Sequence, residues 1–402
     1  MQHTAFINKN VLLLIPTDEN QYLNFLCGAL KKYFNNLHLL NFIKYCRQEG
    51  IQNTKSHIKY LISDKAIDII IVSPFAGNFE LSVEFYASLK TRTKIVFWIF
   101  DDLNYFNFYG KYYGQIADVV ITDDNFTVFD YKKFGIPAIF FYPSFSKNDY
   151  YPVEIDKDID VSFLGYCKKN DRMECINFLK ENGINVKTFG IGSKNGFVDW
   201  NEFSKIFSQS KINLNFTKLN IESNWLNKDE PLLAMGRGHK GRSVEIALTK
   251  SFCLSEYAPS LKYIFEIGKE IDVFYNKEEL LEKVRYYLSA DGEREAIAKN
   301  AYERAINTYE SEVCIPKLLK ELEEILESTA KRKSEKTEIF LSKAFKIQSI
   351  NGLTASMLIL IKNGKISYAL ESFRELFRHG ILIFFAGFYG GIIRAINKLL
   401  KK

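Results

Sequence analysis

The chain of 402 residues has little of what disulfide-built or metal-built proteins depend on. Its six cysteines, Cys27, Cys46, Cys167, Cys175, Cys253 and Cys314, are scattered and include no C-x-x-C pair, so neither a zinc site nor a disulfide framework is indicated. Several lie in apolar runs, where cysteine acts as a small hydrophobe. No compact acidic cluster of metal-binding type is present. Residues 1–10 are polar and lead directly into an apolar run, a pattern unlike a secretory signal, so a reducing, cytoplasmic setting is expected. The apolar stretch 380–393 (GILIFFAGFYGGII) has 14 residues, fewer than the ~20 needed to span a bilayer core.

What is present is a large amount of ordinary globular sequence. Single cores rarely grow past about 250–300 residues, so two compact domains are expected. The aromatic content of 15% is high, but with abundant Lys, Ile and Asn it fits an AT-rich coding bias as well as any function. The formal charge of +6 conceals an uneven distribution. Residues 331–402 hold 14 Lys and Arg against 4 Asp and Glu, leaving 40 bases and 44 acids for the rest. A mildly acidic body with a basic appendage points to an anionic partner for the appendage.

Short apolar runs alternate with helical patterns. Strands are predicted at 11–16, 38–43, 69–73, 94–100, 119–122 and 138–142, with helices at 22–33, 79–90 and around 127–134. After a linker at 143–158 the alternation resumes. Strands are predicted at 160–165, 186–190, 211–216 and 251–255, and helices at 172–182, 203–208, 243–249, 277–290, 293–308 and 313–328. Such alternation implies an α/β chain with two Rossmann-like, doubly wound domains, 1–145 and 158–328, facing a cleft. Residues 217–239 read as a long polar loop. The segment 329–402 reads as a separate basic tail, with a basic hinge at 331–333, short amphipathic helices at 337–346, 353–362 and 368–377, and an interfacial helix at 380–393.

The stretch 240–274 carries the most chemistry. Lys240 and Arg242 precede Glu245, which opens an apolar helix. Cations beside helix-start amides suit a diphosphate, and a single carboxylate suits a sugar diol. Glu245 has a second reading as a helix-start acid stabilised by the helix dipole. Asp101 and Asp102 fall where a parallel strand should end, which suits a general base toward an acceptor hydroxyl or, equally, a helix cap. His239, beside the cations, is either a donor contact or a surface loop residue. Gly190 and Gly192 would let backbone amides approach a ligand. Glu266, Gly268 and Glu270 read as loop-shaping residues.

The segments 160–165 (DVSFLG), Arg172, 211–216 (KINLNF), the block from Lys240, the helices at 278–288 and 293–298 and the motif 98–102 (WIFDD) resemble the bacterial glycosyltransferases typified by the spore-maturation family. The resemblance spans about 10–315 and implies the two-domain GT-B architecture, with a nucleotide sugar against the second domain and the acceptor entering from the first. It implies that Glu245 accepts from the ribose hydroxyls. It also implies that Lys240, Arg242 and Arg172, with Lys168 or Lys169, meet the diphosphate without a metal or other cofactor. Many retaining members of that architecture carry two glutamates separated by seven residues. Eight positions before Glu245 stands Arg237, so one acid of that pair is missing.

The expected activity is transfer of a sugar from a nucleotide-sugar donor to a cell-envelope saccharide or lipid-linked acceptor, at the inner face of the cytoplasmic membrane, with 331–402 on anionic lipid. Arg237 motivates an alternative, a catalytically inactive nucleotide-sugar-binding protein. Nucleic-acid binding is disfavoured because the bases accompany aliphatic runs instead of forming a long basic groove.

Overall fold

The apolar run at the start of the chain becomes a strand with all five of its aliphatic side chains buried, which only the interior of a parallel sheet allows. A computed structural model describes residues 5–17, 21–73, 78–142, 145–168, 170–218, 236–330 and 338–400. In chain order the first part comprises β1 (Asn10–Ile15), α1 (Gln21–Lys31), β2 (Asn36–Asn41), α2 (Phe42–Glu49), α3 (Ile51–Asp64), β3 (Ile69–Val72), α4 (Val83–Leu89), β4 (Lys94–Ile99) and α5 (Asp102–Tyr105). A π-helical turn, Phe106–Gly110, leads to α6 (Lys111–Gly114), β5 (Val119–Thr122), α7 (Asn125–Lys133) and β6 (Ala138–Phe140). These strands form one sheet in the order β2-β1-β3-β4-β5-β6, every adjacent pair parallel.

The middle of the chain repeats the scheme. It contains β7 (Ile159–Leu164), α8 (Asn170–Glu181), β8 (Val186–Phe189), α9 (Phe203–Gln209), β9 (Ser210–Asn215), α10 (Arg242–Leu248), β10 (Cys253–Glu256), β11 (Asp272–Phe274), α11 (Lys277–Ser289) and α12 (Asp291–Thr308). Its sheet runs β11-β10-β9-β7-β8, again all parallel. In each sheet the order reverses beside the first strand, and ligands of such sheets bind beyond the carboxyl ends of the strands at that point. The β9 sequence shows why a strand forms here. Ile212 and Leu214 enter a core with Val161, Phe163 and Leu254, while the alternate residues Asn213 and Asn215 face the other way. Ser162 donates to Asn213 Oδ1 at 2.8 Å, and Asn215 Nδ2 donates to Ser255 Oγ at 2.9 Å, so the polar face is satisfied.

The last elements are α13 (Ser311–Ala330), α14 (Lys343–Lys362), α15 (Ile366–Glu375) and α16 (Ile381–Leu400). Here the structure departs from the sequence reading. The chain separates into two compact units, 1–141 with 316–402 and 142–315, so the segment expected as a free tail is instead part of the first unit. The reason is packing: Phe345 lies against Phe79 and Tyr112, Ser356 Oγ donates to Glu80 Oε1 at 2.5 Å, and Lys55 on α3 pairs with Glu375 at 2.7 Å. The predicted helices at 337–346 and 353–362 are replaced by the single helix α14, capped by Ser342 Oγ accepting from Phe345 N. Asn351 and Gly352 do not break it, because that turn is packed against α16 with Gly352 buried.

Close approach of α14 and α16 depends on glycine. A Cβ on Gly391 would fall 2.3 Å from Thr354 Cβ, and one on Gly387 2.6 Å from Ile350 Cβ. These glycines are four apart and leave the helix backbones room to touch. By length and composition α14 could cross a membrane, yet half of its apolar window is buried inside the protein. Helices α2 and α3 were not anticipated, although α3 buries Ile51, Thr54, Ile58 and Ile62 at helical spacing. The basic hinge at 331–333 and most of the polar loop, 219–235, lie outside the described residues.

Candidate functional site

Four of the seven expected donor-side residues, Lys168, Arg172, Gly190 and Gly192, lie at the carboxyl edge of the second unit's sheet. The chain leaves β7 through Gly165 and Lys168 and enters α8, while the chain leaving β8 turns through Gly190 and Gly192. The two turns run side by side: Gly165 N donates to Phe189 O at 2.9 Å, and Cys167 N donates to Ile191 O at 2.8 Å. Gly190 has φ +107°, and a Cβ there would lie 2.3 Å from Gly165 O, so only glycine fits. Gly192, at φ +85°, has the Lys168 stem across it, with Cγ 2.7 Å from where a Cβ would be. Lys169 lies outside the described residues.

Arg172 sits in the first turn of α8 and is 9% exposed. Its guanidinium lies 5.8 Å from the Phe163 ring, and Nη1 reaches Tyr166 O at 3.4 Å. Its buried Nε has no hydrogen-bond partner. Burial lowers the Arg172 pKa; Asp171 and Glu256 oppose that shift and the like charge of Arg242 adds to it. A buried cation with an unused N–H is costly to leave unsatisfied, and an anion would satisfy it.

Two more, Arg242 and Glu245, open α10 and are engaged with each other. Arg242 Nη1 bonds Glu245 Oε2, and the guanidinium lies 4.9 Å and 5.5 Å from the Phe203 and Phe207 rings of α9. Glu245 is buried, and burial raises its pKa while Arg242 opposes that rise. The sequence reading treated the two as separate ligands of diphosphate and sugar; in the structure one oxygen of Glu245 is already taken by Arg242. The seventh, Lys240, lies with His239 just before α10. Lys240 O accepts from Tyr142 Oη at 2.7 Å, and the Tyr142 and His239 rings lie 4.5 Å apart. His239 N donates to Ser260 Oγ at 3.2 Å.

Arg237, standing where relatives of the expected type have an acid, is paired. Its Nε lies 2.7 Å from Glu256 Oε1 at the end of β10, while Glu256 Oε2 accepts from Thr217 N and Lys218 N, both at 2.9 Å. Lys218 in turn lies 3.6 Å from Asp171. Glu256 thus clasps both ends of the segment that brackets 219–235. Sequence reasoning missed Glu256, though an acid at the end of a predicted parallel strand was the available signal.

Asp101 and Asp102 belong to the first unit. Asp101 is exposed in the left-handed region, φ +53°, and its side chain makes no helix-capping bond. Asp123 supplies that cap, accepting from Asp101 N at 2.8 Å and Asp102 N at 3.2 Å. Asp123 went unnoticed, yet Asp123-Asp124 follows β5 much as Asp101-Asp102 follows β4 after Phe100. Asp102 is fully buried, and burial pushes its carboxyl up to about 7 against the Tyr131, Thr122 and Thr127 hydroxyls, which favour the charged form. Burial, then the Asp101 charge, likewise holds Asp123 well above the usual carboxylate range. Among the described residues no group of three or more His, Cys, Asp or Glu side chains is placed to hold a metal ion.

Comparison with known proteins agrees with this architecture. Residues 172–320 match the family model described as glycosyl transferase-like. Among solved structures, Anabaena HepE in complex with UDP and glucose superposes with a TM-score of 0.56 at 12% identity, covering 80% of this chain and all of that one. Sucrose-phosphate synthase from Thermosynechococcus elongatus gives 0.59 at 9% identity, with 80% of this chain and all of that one covered. A glycosyltransferase from Rickettsia africae gives 0.54 at 12% identity, with coverages of 81% and 100%. No curated protein sequence matches the chain. The fold is therefore GT-B, with two Rossmann-like units. The family match falls on most of the second unit, and the solved structures share the fold.

Proposed function

We propose that the second unit binds a nucleoside-diphosphate sugar at the carboxyl edge of its sheet and that the protein transfers the sugar to a saccharide or lipid-linked acceptor of the cell envelope. The observation that carries this reading is Arg172, a buried guanidinium with an unpartnered Nε beside the paired glycine turns. A diphosphate would accept from Arg172 and Lys168 and from the backbone amides near Gly190 and Gly192, with Lys240 and Arg242 adding positive charge. Glu245 would receive a hydroxyl of the donor on its remaining oxygen. As the sugar's anomeric carbon leaves the diphosphate and bonds the acceptor oxygen, these cations hold the negative charge on the leaving group. The acceptor hydroxyl would lose its proton to a general base, for which Asp101, being exposed, and Asp102 are the candidates. His239 would touch the donor beside Lys240. In this reading cations do the work that a metal does in other transferases.

The narrower kinship we propose is with the spore-maturation type, on the β7 and β9 motifs, and the working place is the cytoplasmic side of the membrane. A second reading is favoured by one observation: Arg237, tied to Glu256, occupies the place of an acid, so a binding protein without turnover is the alternative. Calorimetry with UDP, other nucleoside diphosphates and their sugars tests the first claim. Binding that weakens at least tenfold in Arg172→Ala supports it. Failure of every donor to bind, or equal affinity in the variant, refutes it. Turnover of a bound donor separates enzyme from binder.

A further inference from the structure

Helix α16 has two unlike faces. One packs Gly387 and Gly391 on α14 and buries Phe384 and Ala395. The other carries Leu382, Phe385, Tyr389, Ile393 and Ile396, spaced three or four apart and exposed, with Leu382 at 83% and Tyr389 at 72%. α15 continues this apolar surface with exposed Ile366, Leu370 and Phe373. The two helices are joined by a ring cluster in which Phe377 lies 5.3 Å from Phe373 and 4.4 Å from Phe384. A contiguous exposed apolar surface of this kind marks an interaction site.

We propose that this two-helix face docks on an anionic lipid bilayer, lying in the headgroup and upper acyl region without crossing it. The proposal deepens the membrane-side location suggested above and does not depend on sugar transfer. Charge selects the occupant. Residues 331–402 carry 14 bases and 4 acids; Lys365 beside the start of α15 and Arg374 on it are exposed, as are Lys343 and Lys362 at the two ends of α14. A second copy placed on the same surface would oppose like charges, whereas anionic headgroups neutralise them. Phe and Tyr on the exposed stripe suit the boundary between headgroups and acyl chains. Spanning does not fit: half of the apolar window of α14 is buried in the protein, and α16 presents lipid-compatible residues on one face only.

Sedimentation of the full chain with phosphatidylcholine vesicles, with and without phosphatidylglycerol, tests the proposal. The parent should partition onto the anionic vesicles and weakly onto neutral ones, and added salt should release it. Leu382→Glu with Tyr389→Glu should lower partitioning at least tenfold, with melting and nucleoside-diphosphate binding unchanged, because both side chains are exposed. Lys365→Glu with Arg374→Glu should lower it at least fivefold on anionic vesicles only. The proposal is overturned if the parent stays in the supernatant, if the Leu382/Tyr389 variant sediments like the parent, or if the face instead mediates a dimer that ignores vesicles. Donor binding, measured without lipid on the same samples, reports separately on the sugar-transfer reading.

Discussion

Replacing Asp102 by asparagine should stabilise the first unit, and by an amount that depends on pH. In the folded chain the Asp102 carboxyl titrates at about 7 because burial penalises its charge; its ordinary value is 3.8. The folded protein therefore keeps a proton that the unfolded chain releases. Stability from this group is fully present below about pH 4, falls as pH rises toward 7, and is flat beyond. Roughly three pKa units at about 1.4 kcal/mol each put the cost of burying the charge at up to about 4 kcal/mol above pH 7. Asparagine fills the same space and cannot ionise. The stability gap between variant and parent should widen by roughly 2.5 kcal/mol between pH 5 and 8. Urea or thermal unfolding across that range reads it, and a unit of this size shifts by about 2–4 °C per kcal/mol. Asp101, Asp123, Asp124 and Asp130 share the neighbourhood, so Asp123→Asn serves as a control for their coupling. A gap that stays constant from pH 5 to 8 would falsify the assignment of Asp102 as a buried, proton-holding acid.

Four other outcomes are expected. Glu245→Ala strands Arg242 without its carboxylate and should cost about 3 kcal/mol of stability in urea titrations; Glu245→Gln should cost less. Gly190→Ala, forced against Gly165 O, should lower the melting temperature and weaken donor binding together. Gly391→Val should separate α16 from α14 at about 1–3 kcal/mol, seen as faster hydrogen exchange in both helices, with exchange in β7–β10 unchanged. If cations alone hold the leaving diphosphate, transfer should survive exhaustive chelation, and loss of activity that magnesium restores would refute that part of the mechanism.

The fold was legible because its strands announce themselves. Continuous runs such as 11–15 and 95–99 can be buried on both faces only in a parallel sheet, and the alternation at 211–216 reproduces the Ile212/Leu214 core face. Less visible was where residues 329–402 would go. Their basic composition looked like an appendage for an anionic partner, but composition does not report that Phe345 and Ser356 meet Phe79 and Glu80. In the site, residue types were readable and pairings were not. Arg242 and Glu245 three apart on a helix neighbour each other by geometry, so a salt bridge was as available as two ligand contacts. The pairings of Arg237 with Glu256 and of Asp123 with the amides of Asp101 and Asp102 join distant loops and leave no local pattern.

Because the second unit is one uninterrupted stretch and the first is drawn from both ends of the chain, synthesis imposes an order. Residues 142–315 are complete and free to fold while the first sheet still lacks 316–402. During that interval Phe79, Tyr112 and Glu80 await their partners from α14. The nascent protein is thus most in need of chaperone cover late, not early. A premature stop before residue 343 would injure the domain encoded first, and the damage would show at the opposite end of the gene from the lesion.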